Sequence, residues 1–275
     1  MNWLIKRGNE FADSFVILKN EFLGLLPVIA LDIVFFIVYG IVDGFFSNRI
    51  ESAAYEMLQI ATKNSAAIGQ EVVKNTNFME ILKSQPGFQE QYNAVMLSFA
   101  LLMLSVYIIY CIFQSAGWFF VRKSCDKKKE VTFWKYIYKF FLINIPWFVI
   151  FYLIQILERL NGFATLLERS NESAYTHYAF LALDFVVLYF AVISYTKIKD
   201  DASVWKAIKD SFKSGFSGIY GIAAVEAVAI FYILDIFMRS AGQLGDAALI
   251  ILGILFVMPA IVWVKSYFTL LNHKV

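Results

Sequence analysis

Six long stretches of apolar residues alternate along the chain with segments that are rich in charged and polar side chains. They are Leu23–Phe45, Asn93–Val121, Phe140–Leu157, Tyr178–Thr196, Gly215–Met238 and Ala247–Val264. A bilayer core of about 30 Å is crossed by about 20 helical residues of this character. We therefore predict an all-α polytopic membrane protein with six transmembrane helices, which form a single membrane domain over residues 1–275.

Three segments outside the apolar stretches share one pattern: residues 12–22, 131–141 and 202–212. In each segment, a residue type that caps helix N-termini is followed two positions later by an aromatic residue. These pairs are Asp13 with Phe15, Thr132 with Trp134, and Ser203 with Trp205. Apolar residues recur three and seven positions after each aromatic, on the same helical face. We predict an amphipathic helix at the membrane surface in each segment, with the three aromatics as its interfacial contacts.

The pattern divides the chain into three repeats, each an interfacial helix followed by a hairpin of two spans. The repeats cover residues 12–121, 131–197 and 202–270, and residues 46–92 form an insertion in the first of them. Because every repeat begins on the same side of the membrane, the sequence favours a parallel repeat with a pseudo-threefold axis.

A competing match joins Ala30-Leu31-Asp32 to Ala182-Leu183-Asp184. The first and fourth spans, which carry these residues, run in opposite directions across the membrane. This match would suit an inverted arrangement of three spans plus three.

With its aromatic-bearing helix before each hairpin, the chain resembles loosely defined six-span membrane families of prokaryotes. It is also similar to the membrane domain attached to some bacterial glycerophosphodiester phosphodiesterases. The resemblance covers the hairpins but not residues 46–92. It implies the architecture only, and it carries over no catalytic residue. Separately, we expect the protein in the cytoplasmic membrane of a prokaryote.

Composition and charge refine this topology. The chain is 60% hydrophobic and only 17% charged, which excludes a water-soluble globule and a secreted disulfide scaffold. Of its 24 Lys and Arg residues, 17 fall on the side of the termini and 7 on the other side. Positive charge marks the cytoplasmic face, so we expect both termini to be cytoplasmic. We expect the basic run from Arg122 to Lys129 to contact lipid headgroups rather than nucleic acid.

Three acidic residues lie within the predicted spans: Asp32, Asp184 and Glu226. In repeat numbering, Gln155 and Glu226 share one position and Asp32 lies one helical turn earlier, so these three are expected near the centre of the bundle. No Lys or Arg is expected at their depth. The functional interpretation is a proton or cation relay, or a polar pocket. The structural alternative is hydrogen bonding between helices, for which the available partners are Tyr39, Ser105, Gln114 and Tyr232.

Other chemistry is sparse. His177 and His273 lie far apart on opposite faces, so we predict no metal site. Cys111 and Cys125 are not expected to form a disulfide, and no nucleotide or cofactor motif is present. Residues 46–92 carry apolar residues at helical spacing until Ser84-Gln85-Pro86-Gly87 interrupts the pattern, which predicts one or two helices outside the membrane. These helices form either a cap packed on the outer surface of the protein itself, or a docking surface for a partner or a lid over a cavity.

The resulting hypothesis is a non-enzymatic integral membrane scaffold or assembly partner. Besides membrane lipids, its contacts would be a protein partner that docks through residues 46–92 or through the cytoplasmic interfacial helices. The alternative is a small transporter or channel that uses Asp32, Asp184 and Glu226. A third hypothesis, a membrane enzyme that acts on lipid, would need two acidic or nucleophilic side chains close together at headgroup level.

Overall fold

The structure, a computed structural model, describes residues 11–16, 18–64, 78–125, 132–167, 174–243 and 245–274. Its helices are α1 Phe22–Lys63, α2 Phe78–Ser84, α3 Phe88–Cys125, α4 Phe133–Leu167, α5 Ala174–Thr196, α6 Val204–Gly215, α7 Gly218–Gly242, α8 Asp246–Leu252 and α9 Met258–Lys274. A π-helical segment, Gly253–Val257, joins α8 to α9. Within these ranges, six helices are long and apolar enough to cross a membrane, which confirms the prediction of a six-span integral membrane protein.

The chain divides into two compact units. The hairpin unit is Val34–Tyr110, and the main unit combines Met1–Ile33 with Cys111–Val275. Both α1 and α3 contribute residues to each unit.

The hairpin unit contains a small buried apolar cluster near the end of α1. Ile81 and Leu82 of α2 and Phe88 of α3 are buried there, against Met57 and Ile60 of α1. The predicted break at residues 84–87 is confirmed, since α2 ends at Ser84 and Gly87 takes a left-handed φ of 80° before α3 begins. Ile68 and Val72, two of the apolar residues whose spacing predicts helix in residues 46–92, lie outside the described residues.

In the main unit, burial is concentrated at one end of the helices, which we call the basic end. It contains the last turns of α3, α5 and α9 and the first turns of α1, α4 and α7. Phe140 of α4 and Tyr195 of α5 are both almost fully buried, with ring centroids 4.5 Å apart. Trp118 of α3 packs against the same tyrosine at 5.6 Å. Aromatic side chains thus join three spans at this end.

The segments predicted as interfacial helices differ from one another. Residues 204–215 form the separate helix α6, and Ser203 caps it by accepting a hydrogen bond from the backbone amide of Lys206. The segment that follows Thr132 instead forms the first turns of α4, which continues unbroken through Pro146. Residues 11–16 and 18–20 are helical and precede α1. Within the described residues, the third segment therefore forms a separate short helix, whereas the second does not.

Candidate functional site

A buried ion pair joins two spans of the main unit. The ammonium of Lys265 in α9 lies 2.8 Å and 2.9 Å from the two carboxylate oxygens of Asp32 in α1. Gln114 of α3 donates a third hydrogen bond, at 3.0 Å, to the same carboxylate. The side chains of Lys265 and Asp32 are only 5% and 1% exposed. Three helices are therefore tied together by one carboxylate that accepts three hydrogen bonds.

Small and apolar residues surround this ion pair. Gly117 of α3 lies beside the ammonium, and a Cβ atom at that position would be 3.2 Å from the Lys265 nitrogen. The glycine therefore lets the ammonium approach α3 closely. Leu25, Val28 and Val262 belong to the apolar cluster that the same three helices form. Water is displaced from the pair on this side, which strengthens the attraction between the two charges.

The expectation that no Lys or Arg lies at the depth of Asp32 is wrong. Lys265 was placed just beyond the sixth span because the apolar run ends at Val264, whereas α9 continues to Lys274. Asp32 is ten residues past the start of α1, and Lys265 is nine residues before the end of α9. At about 1.5 Å per residue, both lie about 14 to 15 Å along their helices from the basic end. Opposite charges in different spans pair, so extension of the sixth predicted span beyond Val264 would have made Lys265 a candidate partner of Asp32.

The other predicted polar residues have different partners. Gln155 of α4 donates to Asp184 of α5 at 2.7 Å, so these two candidate residues are brought together. The second carboxylate oxygen of Asp184 is buried and has no hydrogen bond within the described part of the chain. Glu226 of α7 accepts from the hydroxyl of Tyr267 at 2.6 Å. Asp32, Gln155 and Glu226 are thus bonded to three separate sets of partners.

A second polar centre surrounds the end of α5 at the basic end. Backbone carbonyl groups near a helix C-terminus lack partners within the helix and carry partial negative charge. Here, side chains of three other helices donate to them. Arg122 bonds the carbonyl of Ile198, Tyr136 that of Tyr195, Asn272 that of Thr196, and Lys139 those of Lys199, Asp200 and Ala202. We call this set the carbonyl hub.

The carbonyl hub corrects one interpretation of the basic residues. Arg122 was expected to contact lipid headgroups, but it is 7% exposed and bonded to a backbone carbonyl. The lysines at 127–129 of the same basic run lie outside the described residues. The ammonium of Lys139 donates three hydrogen bonds, of 2.6 to 2.8 Å, to backbone carbonyls of the loop after α5. These cations hold the loop between α5 and α6 in place.

Lys197 is the first residue after the fourth span. Burial lowers the pKa of its ammonium from the usual value, while nearby Asp210 opposes the shift and Lys199 adds to it. The ammonium lies 5.4 Å from the ring centroid of Tyr220, within the range of a cation–π contact.

The three predicted interfacial aromatics are all exposed, to different extents. Phe15 is 43% exposed and stacks on Trp263 of α9 at 5.1 Å. Trp134 and Trp205 are 74% and 73% exposed. The first of these side chains thus belongs partly to the packing of the main unit, whereas the two tryptophans project outward.

The arrangement contains no group of three or more metal-ligating side chains within the described ranges. Cys111 is buried and Cys125 is half-buried. The polar groups described above join neighbouring helices through hydrogen bonds. Comparison with family models, with curated proteins and with solved structures gives no match.

Proposed function

We propose that the protein is a non-enzymatic membrane scaffold that binds a protein partner through residues 46–92. The observation that carries this proposal is the length of the first two spanning helices. Helix α1 has 42 residues and α3 has 38. At about 1.5 Å per residue they measure about 63 Å and 57 Å, roughly twice the bilayer core of about 30 Å.

The excess length falls on the side of residues 46–92. The apolar run of α1 ends at Phe45, and the following turns carry Arg49, Glu51, Glu56 and Lys63. Charged residues at this density are typical of helix in water rather than in hydrocarbon. The apolar cluster of Ile81, Leu82 and Phe88 stabilises the far end of this segment. A packed helical segment outside the membrane is a suitable support for a docking surface.

One face of this extension carries two large apolar side chains. Tyr55 and Leu58 are 62% and 59% exposed and are three residues apart, on the same side of α1. Lipid covers such residues within a bilayer, whereas outside it they are candidates for contact with protein. Tyrosine is enriched at the energetic centres of protein interfaces. We propose that this pair anchors the partner.

The intramembrane charges support a scaffold over a transporter or channel. A relay needs a carboxyl group that can change its protonation state during transport. Asp32 has two donors, one of them the cation of Lys265, and both side chains of the ion pair are almost fully buried. These contacts favour a structural role for Asp32.

The proposed topology, with three like-oriented repeats and cytoplasmic termini, is supported by matching exposure. Positions thirteen residues past the start of each repeat are buried in all three: Leu25, Asn144 and Gly215. The positions that follow them are exposed in all three: Leu26, Ile145 and Phe216. The basic end also carries the greater share of Lys and Arg, as a cytoplasmic face does.

The double substitution Tyr55→Ala with Leu58→Ala tests the docking surface. Loss of two anchors from the centre of an interface costs about 2 kcal/mol or more per residue, so we expect the recovered partner to fall at least about tenfold. The measurement is affinity purification of the full chain from its native membranes in mild detergent, with partners quantified by mass spectrometry.

The matched control is Glu56→Ala with Lys63→Ala, which truncates two exposed side chains on other sides of the same helix without changing the net charge. We expect the control to retain its partner. If no stoichiometric partner accompanies the wild-type chain, or if both variants lose it equally, the proposed function is wrong.

A further inference from the structure

The exposed face of α6 has a composition that the scaffold proposal does not explain. Trp205, Phe212 and Phe216 are 73%, 41% and 82% exposed. They are spaced seven and four residues apart, which places them on one side of a helix and the residue that follows it. Three large aromatics therefore form a continuous, solvent-accessible stripe along α6. Its two C-terminal members, Phe212 and Phe216, also contact the ring of Phe190 in α5.

The opposite face of α6 is fixed to the protein. Ala207, Ser211 and Gly215 are buried and recur every four residues. Gly215 is packed so closely against α5 that a Cβ atom there would lie 2.4 Å from a ring carbon of Phe190. The hydroxyl of Tyr189 donates to the Gly215 carbonyl at 2.6 Å. This packing sets the direction in which the aromatic stripe points.

Lysines flank the stripe on one side. Lys206, Lys209 and Lys213 are all exposed and lie within one quadrant of the helix, beside the aromatics. No ion pair in the described ranges involves these three lysines. The acidic residue of the helix, Asp210, is half-buried, and its charge opposes the lowering of the pKa of Lys197 by burial. The face is therefore aromatic along its centre and cationic along one edge.

The chain places α6 at the boundary of the membrane. The fourth span ends at Thr196, and the fifth begins at Gly218, two residues after Phe216. Aromatic rings favour the headgroup level of a bilayer, and lysines beside them attract anionic headgroups. We propose that α6 is a lipid-binding helix whose aromatic stripe inserts into the leaflet and whose three lysines select anionic phospholipids. This proposal does not depend on the scaffold function.

Quenching by brominated lipids tests the proposal on the full chain in nanodiscs. The Trp205 signal is the difference in fluorescence between the wild type and Trp205→Phe. We expect brominated phosphatidylglycerol, diluted in phosphatidylcholine, to quench this signal more strongly than brominated phosphatidylcholine at the same dilution. Since lysines near an anionic surface attract its headgroups, we expect Lys206→Gln, Lys209→Gln and Lys213→Gln together to reduce the preference at least about tenfold.

The control removes three cations at the other end of the spans: Arg49→Gln, Lys63→Gln and Lys83→Gln, which should leave the preference unchanged. Should the lysine variant fail to fold, the quenching of the wild type is measured at two salt concentrations instead. The preference for the anionic lipid must weaken between about 0.15 M and 1 M salt, because the Debye length falls from about 8 Å to 3 Å. Equal quenching of the wild type by both lipids would overturn the proposal. So would a Trp205 signal that neither lipid quenches, which would instead indicate a protein contact.

Discussion

Replacement of Lys265 by methionine is expected to cost about 3 to 5 kcal/mol of stability, because it leaves a buried carboxylate without its cation. Asp32 is 1% exposed, so water cannot solvate the charge that remains. Gln114 alone would bond one of its oxygens. The loss is measured as a shift in the midpoint of thermal denaturation in detergent, which size-exclusion chromatography monitors. This is the largest effect that we expect from a single substitution.

The double variant Asp32→Leu with Lys265→Met tests whether the single substitution destabilises the protein by leaving an unpaired buried charge. Apolar replacements of a buried ion pair are often neutral, so we expect most of the lost stability to return. The control Lys19→Met removes a lysine that is exposed at the basic end and should change the midpoint little. A single Lys265→Met variant as stable as the wild type would mean that the contact contributes nothing to the fold.

Substitution of Gly215 by alanine is expected to destabilise the protein by about 1 to 3 kcal/mol through overpacking. The added methyl would meet the ring of Phe190 at 2.4 Å. That ring has little freedom to move, since it packs against Phe212 at 4.6 Å and Phe216 at 5.6 Å. Thermal denaturation measures the loss, and the fluorescence of Trp205 reports whether α6 has shifted.

Gly221 supplies the matched control within α7. A Cβ atom at Gly221 meets nothing within 4 Å, so Gly221→Ala should stabilise the helix by about 0.5 to 1 kcal/mol. The two glycine substitutions are thus expected to have opposite signs. A smaller ring partner should relieve the clash, so Phe190→Leu is expected to reduce the cost of Gly215→Ala. Equal effects at both glycines would contradict the close packing of α6 on α5.

The six spans could be predicted because their signal is one of composition over about 20 residues, which does not depend on what each helix touches. The break at residues 84–87 was equally local, since Pro86 and Gly87 act on their own backbone. Ser203 was recognised as a cap for the same reason.

The site was less predictable because its contacts join residues that are distant in the sequence. Asp32 and Lys265 are separated by 233 positions, and the hydropathy boundary at Val264 hid the lysine from the search for intramembrane charge. Arg122 was misassigned because a basic residue after a span has the same local appearance whether it contacts lipid or a backbone carbonyl. Only the packing of α3 beside the end of α5 shows that Arg122 contacts a backbone carbonyl rather than lipid.

Photo-crosslinking at Tyr55 tests most directly whether the extension of α1 is a docking surface. A photoreactive phenylalanine analogue replaces Tyr55, Leu58 or Glu56, one at a time, in the full chain in its native membrane. We predict a covalent adduct of one discrete mass from positions 55 and 58, which share an exposed face, and none from Glu56 on another side of the helix. The absence of any adduct at Tyr55 and Leu58, or identical adducts at all three positions, would contradict the scaffold function.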